Sequence, residues 1–152
     1  MKKTAIGILL LQVLFAPFVS AQLIKMDLTI FGMDCAICAH GVRTGLLRIQ
    51  GVQNVEVSIE KGSTHIEFKP DNKVLLSQIE TAVKRNGFSP KGGNVEFKGR
   101  IQNSEVIITG TNETVSSSSN SAAADPQKEY LIRGTLKIDD KGGQSFSIAS
   151  VN

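Results

Sequence analysis

The sequence predicts an α+β protein, a ferredoxin-like βαββαβ unit followed by a small all-β region. Three observations carry this. From Leu23 to about Pro90 the apolar residues switch repeatedly between a period of two and a period of three to four, with short turns at the switches. From Lys91 onward no helical stripe recurs and short β-type runs take over. Ahead of both, residues 1–21 have the layout of a segment that is removed rather than folded.

That leading segment opens Met1-Lys2-Lys3, runs apolar from Ala5 to Phe15, breaks at Pro17 and ends in Val19-Ser20-Ala21. A charged start, a short apolar run and small residues at the end describe a secretory signal peptide. The run is shorter than the roughly 20 residues that span a bilayer as a helix. Cleavage after Ala21, a periplasmic or secreted destination and no stable membrane anchor are therefore expected. Gln22 rather than Cys follows the cut, which gives no support to lipid attachment there. The 152-residue chain carries a net charge of +3, but the segment removes Lys2 and Lys3 and no acidic residue, leaving +1. The basic balance thus belongs largely to targeting, and no nucleic-acid partner is expected.

In the unit spanning 22–90, Ile24, Met26, Leu28 and Ile30 alternate as a strand with one buried face. Val42, Leu46 and Ile49 then form a helical stripe that ends at Gly51. Val55, Val57 and Ile59 alternate again, and the Lys61-Gly62-Ser63 turn leads to a hairpin partner carrying Ile66 and Phe68. Pro70 stops that strand. Asp71 or Asn72 is the expected cap of a second helix bearing Leu75, Ile79, Ala82 and Val83, closed by Gly87. Phe88 begins a last short strand.

Residues 91–152 read as a small β-rich region, with strands expected at Val95 and Phe97, at Val106 to Ile108, at Tyr130 to Ile138, and at Phe146 and Ile148. Thr114 to Gln127, with four consecutive serines and three alanines, is expected to be a flexible loop covering about 112–128. The apolar residues here are few for an independent core, so the region is expected to lean on the first unit or on a partner.

The chemistry lies in Gly32-Met33-Asp34-Cys35-Ala36-Ile37-Cys38, between the first strand and the first helix. Cys35 and Cys38 are the only cysteines, which excludes a disulfide framework. A CxxC pair at a helix start serves either thiol–disulfide exchange or metal capture. The first helical turn directs free amides and a partial positive charge at the sulfurs, favouring thiolates. Two thiolates suit Cu(I), Hg(II), Zn(II) or Cd(II), and two ligands leave positions open for passing the ion onward. Haem attachment is disfavoured because His40 stands one residue too far from Cys38. No paired acid and base, nucleophile motif or phosphate loop is visible, so an enzyme is not expected.

Residues 23–90 resemble the heavy-metal-associated domain of copper chaperones, of metal-transporting ATPases and of the periplasmic mercuric-ion-binding protein. The resemblance is carried by the Gly32–Cys38 motif, the Ile49-Gln50-Gly51-Val52 turn with Val55, and Asn86-Gly87-Phe88. It implies an open-faced sandwich holding one soft ion on Cys35 and Cys38, in a monomer that hands the ion to a metal-transporting membrane protein or a metallochaperone partner. Asp34 departs from the Thr or Ser common in copper carriers and is similar to zinc, cadmium and lead exporters, where the carboxylate joins the coordination. Asp34 is accordingly a third metal-ligand candidate, with a loop or solvated role as its alternative. Met33 is read as core filler, His40 as facing away from the site, His65 as an exposed strand residue, and Phe88 as a shield or as core. Asn112-Glu113-Thr114 matches a glycosylation acceptor. Lys84 and Arg85 are read as favourable cations at a helix end.

Overall fold

The computed structural model describes residues 22–118, 124–139 and 141–152. The expected signal segment and residues 119–123 of the expected loop lie outside them. The first elements are β1 (Leu23–Phe31), α1 (Ala36–Leu47), β2 (Val52–Ser58), β3 (Ser63–Phe68), α2 (Leu76–Arg85) and β4 (Ser89–Gln102), in the expected βαββαβ order.

Alternation in β1 buries Met26, Leu28 and Ile30 and turns Lys25, Asp27 and Thr29 outward. A register shift between Leu23 and Lys25 accompanies a break in the alternation, so Leu23 is buried and Ile24 only half-buried. Helix α1 buries Ala39, Val42 and Leu46, spaced three and four apart, whereas Ile49 lies past the helix end and is half-buried. Ile59, expected to extend β2, sits in the turn after it and is exposed. In α2 the buried stripe starts at Leu76; Leu75 is the half-buried N-cap residue.

Neither Asp71 nor Asn72 caps α2. Asn72 is buried, and its amide donates to the carbonyls of Leu23 and Lys69 at 2.8 Å each, tying this loop to the start of β1. Leu75 has no side-chain acceptor, so the free amides find other partners. Gln78 Oε1 accepts from Leu75 N at 3.0 Å, and the Glu113 carboxylate accepts from Leu76 N at 2.8 Å and Ser77 N at 3.3 Å.

The last strand of the unit is not short. β4 has fourteen residues and runs through the expected boundary at 90/91. Ser89–Phe97 pairs with β1, Gly92–Gly99 pairs on the opposite edge with β7 (Tyr130–Ile138), and Gly99–Gln102 pairs with β5 (Glu105–Ile108). Pairing of β5 with β6 (Thr114–Ser117), of β6 with β8 (Gln144–Val151) in parallel, and of β8 with β7 returns to β4 and closes a ring of five strands. The β2-β3-β1-β4 sheet and the ring thus share β4. Sharing it demands close approach from both sides: a Cβ on Gly92, which has φ +96°, would collide with the Leu136 carbonyl.

The expected loop begins as ordered strand, since Thr114–Ser117 is β6 with Val115 buried. Phe97 and Phe146 pack inside the ring at 5.3 Å between centroids, and the ring's buried residues join those of the first unit in one core. The second region therefore leans on the first. Among the described residues no helix is long and apolar enough to cross a membrane.

Candidate metal site

β1 delivers the chain to Gly32, whose φ of +81° makes the turn toward α1 without a side-chain penalty. Met33 is buried at 4% exposure and anchors the loop from beneath, as core filler should. Asp34 is exposed, and Cys35 follows as the N-cap residue of α1. Cys35 and Cys38 are joined as a disulfide with their Cα atoms 5.1 Å apart. Cys35 Sγ accepts a hydrogen bond from Cys38 N at 3.0 Å, so a helix-start amide is aimed at sulfur in the manner the spacing implies. Both cysteines are partly exposed.

The structure brings the two sulfurs together and leaves most other candidates elsewhere. His40 is exposed on α1, 3.4 Å from the Thr44 hydroxyl. Phe88 is half-buried against the core. His65 lies on β3 with Nδ1 2.6 Å from Asp27 Oδ1. Asn112 is exposed beside Glu113, whose carboxylate is committed to α2. Lys84 pairs with Glu80 at 2.6 Å. Among the described residues no group of three or more His, Cys, Asp or Glu side chains converges as a metal-holding set.

Sequence reasoning missed an apolar rim. Phe31, at the end of β1, and Ile37, between the two cysteines, are 70% and 86% exposed, and Lys91 Nζ stands 6.0 Å from the Phe31 ring. The signal was present in each case: Phe31 alternates opposite buried Ile30, and Ile37 is a large apolar residue between two site cysteines. A groove of about 1360 Å³ between α1 and α2 begins at His40 and carries Arg48, Lys69, Lys73 and Arg85 against one carboxylate, Asp71.

A CxxC pair at the N-terminus of the first helix of a βαββαβ sandwich, with its rim exposed, is the arrangement of a small soft-metal-binding module once reduced. Residues 27–89 match the model of the heavy-metal-associated domain, and the chain belongs to that family. It is 37% identical over 60 residues to the copper chaperone CopZ of Staphylococcus saprophyticus, covering 40% of this chain and 87% of that protein. It is 35% identical over 74 residues to a copper-transporting ATPase of Helicobacter pylori, covering 49% of this chain but only 10% of the ATPase. Among solved structures, a CopZ metallochaperone superposes with a TM-score of 0.41 at 30% identity, over 43% of this chain and 97% of that one. The chain is a metal-binding protein and not an enzyme.

Proposed function

We propose that this protein is an exported carrier of one soft metal ion, bound between Cys35 and Cys38 in their dithiol form and passed by ligand exchange to a metal-transporting membrane protein or chaperone partner. The observation that carries this is the cysteine pair at the start of α1 with Cys38 N directed at Cys35 Sγ. A dithiol reductant opens the disulfide by thiol–disulfide exchange, becoming a disulfide itself as Cys35 and Cys38 gain two electrons, and the helix start then stabilises the thiolates without a closed ligand shell. Copper relatives favour Cu(I) as cargo. Asp34, exposed and next to Cys35 in the chain, does not converge with the two sulfurs here and adds a carboxylate for Zn(II) or Cd(II) only if its side chain turns toward them, and Hg(II) remains compatible with two sulfurs alone.

Export rests on the layout of residues 1–21, a charged start, a short apolar run and small residues before Gln22. Residues 91–152 are best read as a β-rich extension of the metal unit. They cover the β4 edge, and Arg43 Nε donates to the Val55 carbonyl on edge strand β2; both features suit a monomer. The Phe31 and Ile37 rim and the basic groove suit a partner with an apolar contact ringed by acidic residues.

Native mass spectrometry of the reduced protein from the exported fraction tests this reading. A chain starting at Gln22 with one bound metal ion is expected; a metal-free reduced chain, or one retaining residues 1–21, contradicts it. The second reading, a thiol–disulfide module, rests on the same CxxC pair at a helix start. It requires catalytic turnover of a protein thiol substrate, which a carrier does not show.

A further inference from the structure

We propose a second cation site on the sheet face opposite the helices, formed by His65 and Glu67 and taking a borderline divalent ion such as Zn(II) or Cu(II). It is independent of the cysteine pair. Strand register places Glu56, His65 and Asp27 in one row across β2, β3 and β1, with Glu67 two residues along β3 on the same face. Asp27 Oδ1 accepts from His65 Nδ1 at 2.6 Å, which fixes the imidazole and leaves Nε2 as the lone-pair nitrogen. Nε2 lies 3.8 Å from Glu67 Oε1, beyond hydrogen-bond range. Two donors held about 2.0–2.2 Å from a tetrahedral ion stand roughly 3.3 Å apart, so a small rotation of the exposed Glu67 side chain closes the site.

A carboxylate on the far nitrogen is the outer-shell arrangement that orients metal-binding histidines and strengthens the imidazole as a ligand. The local charge also calls for a cation. Asp27 and Glu67 flank the imidazole and Glu56 is its cross-strand partner on β2; Lys25, across from Glu67 on β1, makes its ion pair with Glu96 instead. The neighbouring cations Lys25 and Arg133 are held by Glu96, at 3.2 and 3.0 Å. The side chains of His65, Asp27 and Glu67 are 35%, 55% and 49% exposed, open to an incoming ion. Because no three donors are preassembled, the protein supplies two ligands and water the rest. Imidazole with carboxylate selects Zn(II) or Cu(II) over Cu(I), which distinguishes this site chemically from two thiolates.

The test is a Zn(II) titration of the full protein with the Cys35–Cys38 disulfide intact, which silences the thiol pair, followed through the imidazole NMR signals of the chain's two histidines. Saturable perturbation of His65 without His40 is expected, with affinity reduced about tenfold or more in Glu67→Gln and abolished in His65→Gln. No saturable response, a response at His40 alone, or unchanged affinity in Glu67→Gln overturns the proposal. None of these results bears on the cysteine site.

Discussion

The carboxylate of Glu113 closes the N-terminus of α2 by accepting hydrogen bonds from Leu76 N and Ser77 N. The acceptor belongs to the loop between β5 and β6, so the extension supplies a cap that the metal unit lacks. Removing it in Glu113→Ala is expected to cost about 1 kcal/mol. That corresponds to a fall of about 4 °C in Tm. A melting curve equal to that of the unchanged protein contradicts this role.

Gly92 permits β4 to be paired on both edges, with β1 on one side and β7 on the other. Gly92→Ala places a Cβ against the Leu136 carbonyl at φ +96°. A loss of about 3 kcal/mol or more is expected, read as a lower urea midpoint or insoluble product. A wild-type midpoint indicates that the two halves do not share this strand.

The hydrogen bond from Arg133 holds the Glu96 carboxyl below its ordinary 4.5, with burial opposing the shift and Lys25 reinforcing it. A depressed folded-state value stabilises the protein above the ordinary carboxylate range, and the contribution is lost as pH falls through the folded-state value. Glu96→Gln is therefore expected to flatten the acid limb of stability against pH below about 4.5 while lowering stability at neutral pH. An unchanged acid limb contradicts the coupling.

Asp34 sits next to Cys35 and is exposed. If its carboxylate joins the cargo, Asp34→Asn weakens Zn(II) or Cd(II) binding about tenfold and leaves Cu(I) nearly unchanged. Competition titrations on reduced protein check this; equal effects on both ions assign Asp34 to the loop alone.

Local patterns showed through the sequence wherever neighbours in the chain decide the outcome. The alternation of Met26, Leu28 and Ile30, the α1 stripe of Val42 and Leu46 and the CxxC at the helix start are all local. What stayed hidden depends on distant partners. The cap of α2 comes from Glu113, far along the chain, while the nearer Asn72 turns inward to hold Leu23 and Lys69. The length of β4 depends on β7 and β5, which no period within residues 89–102 reveals. Thr114–Ser117 looks too polar to pack, yet pairing with β5 and β8 orders it around one buried residue, Val115. At the site the cysteines were evident, and the exposure of Phe31 and Ile37 was also written locally, in the alternation of Phe31 with buried Ile30 and in the place of Ile37 between the cysteines.

Cys35 and Cys38 are the proposed seat of one soft metal ion. The most direct measurement is anaerobic titration of reduced protein with Cu(I) against a competing chelator, beside the disulfide form and a Cys35→Ser/Cys38→Ser double variant. One-to-one uptake by the reduced protein alone is the predicted result. No uptake, or uptake that persists in the disulfide form or the double variant, would contradict it.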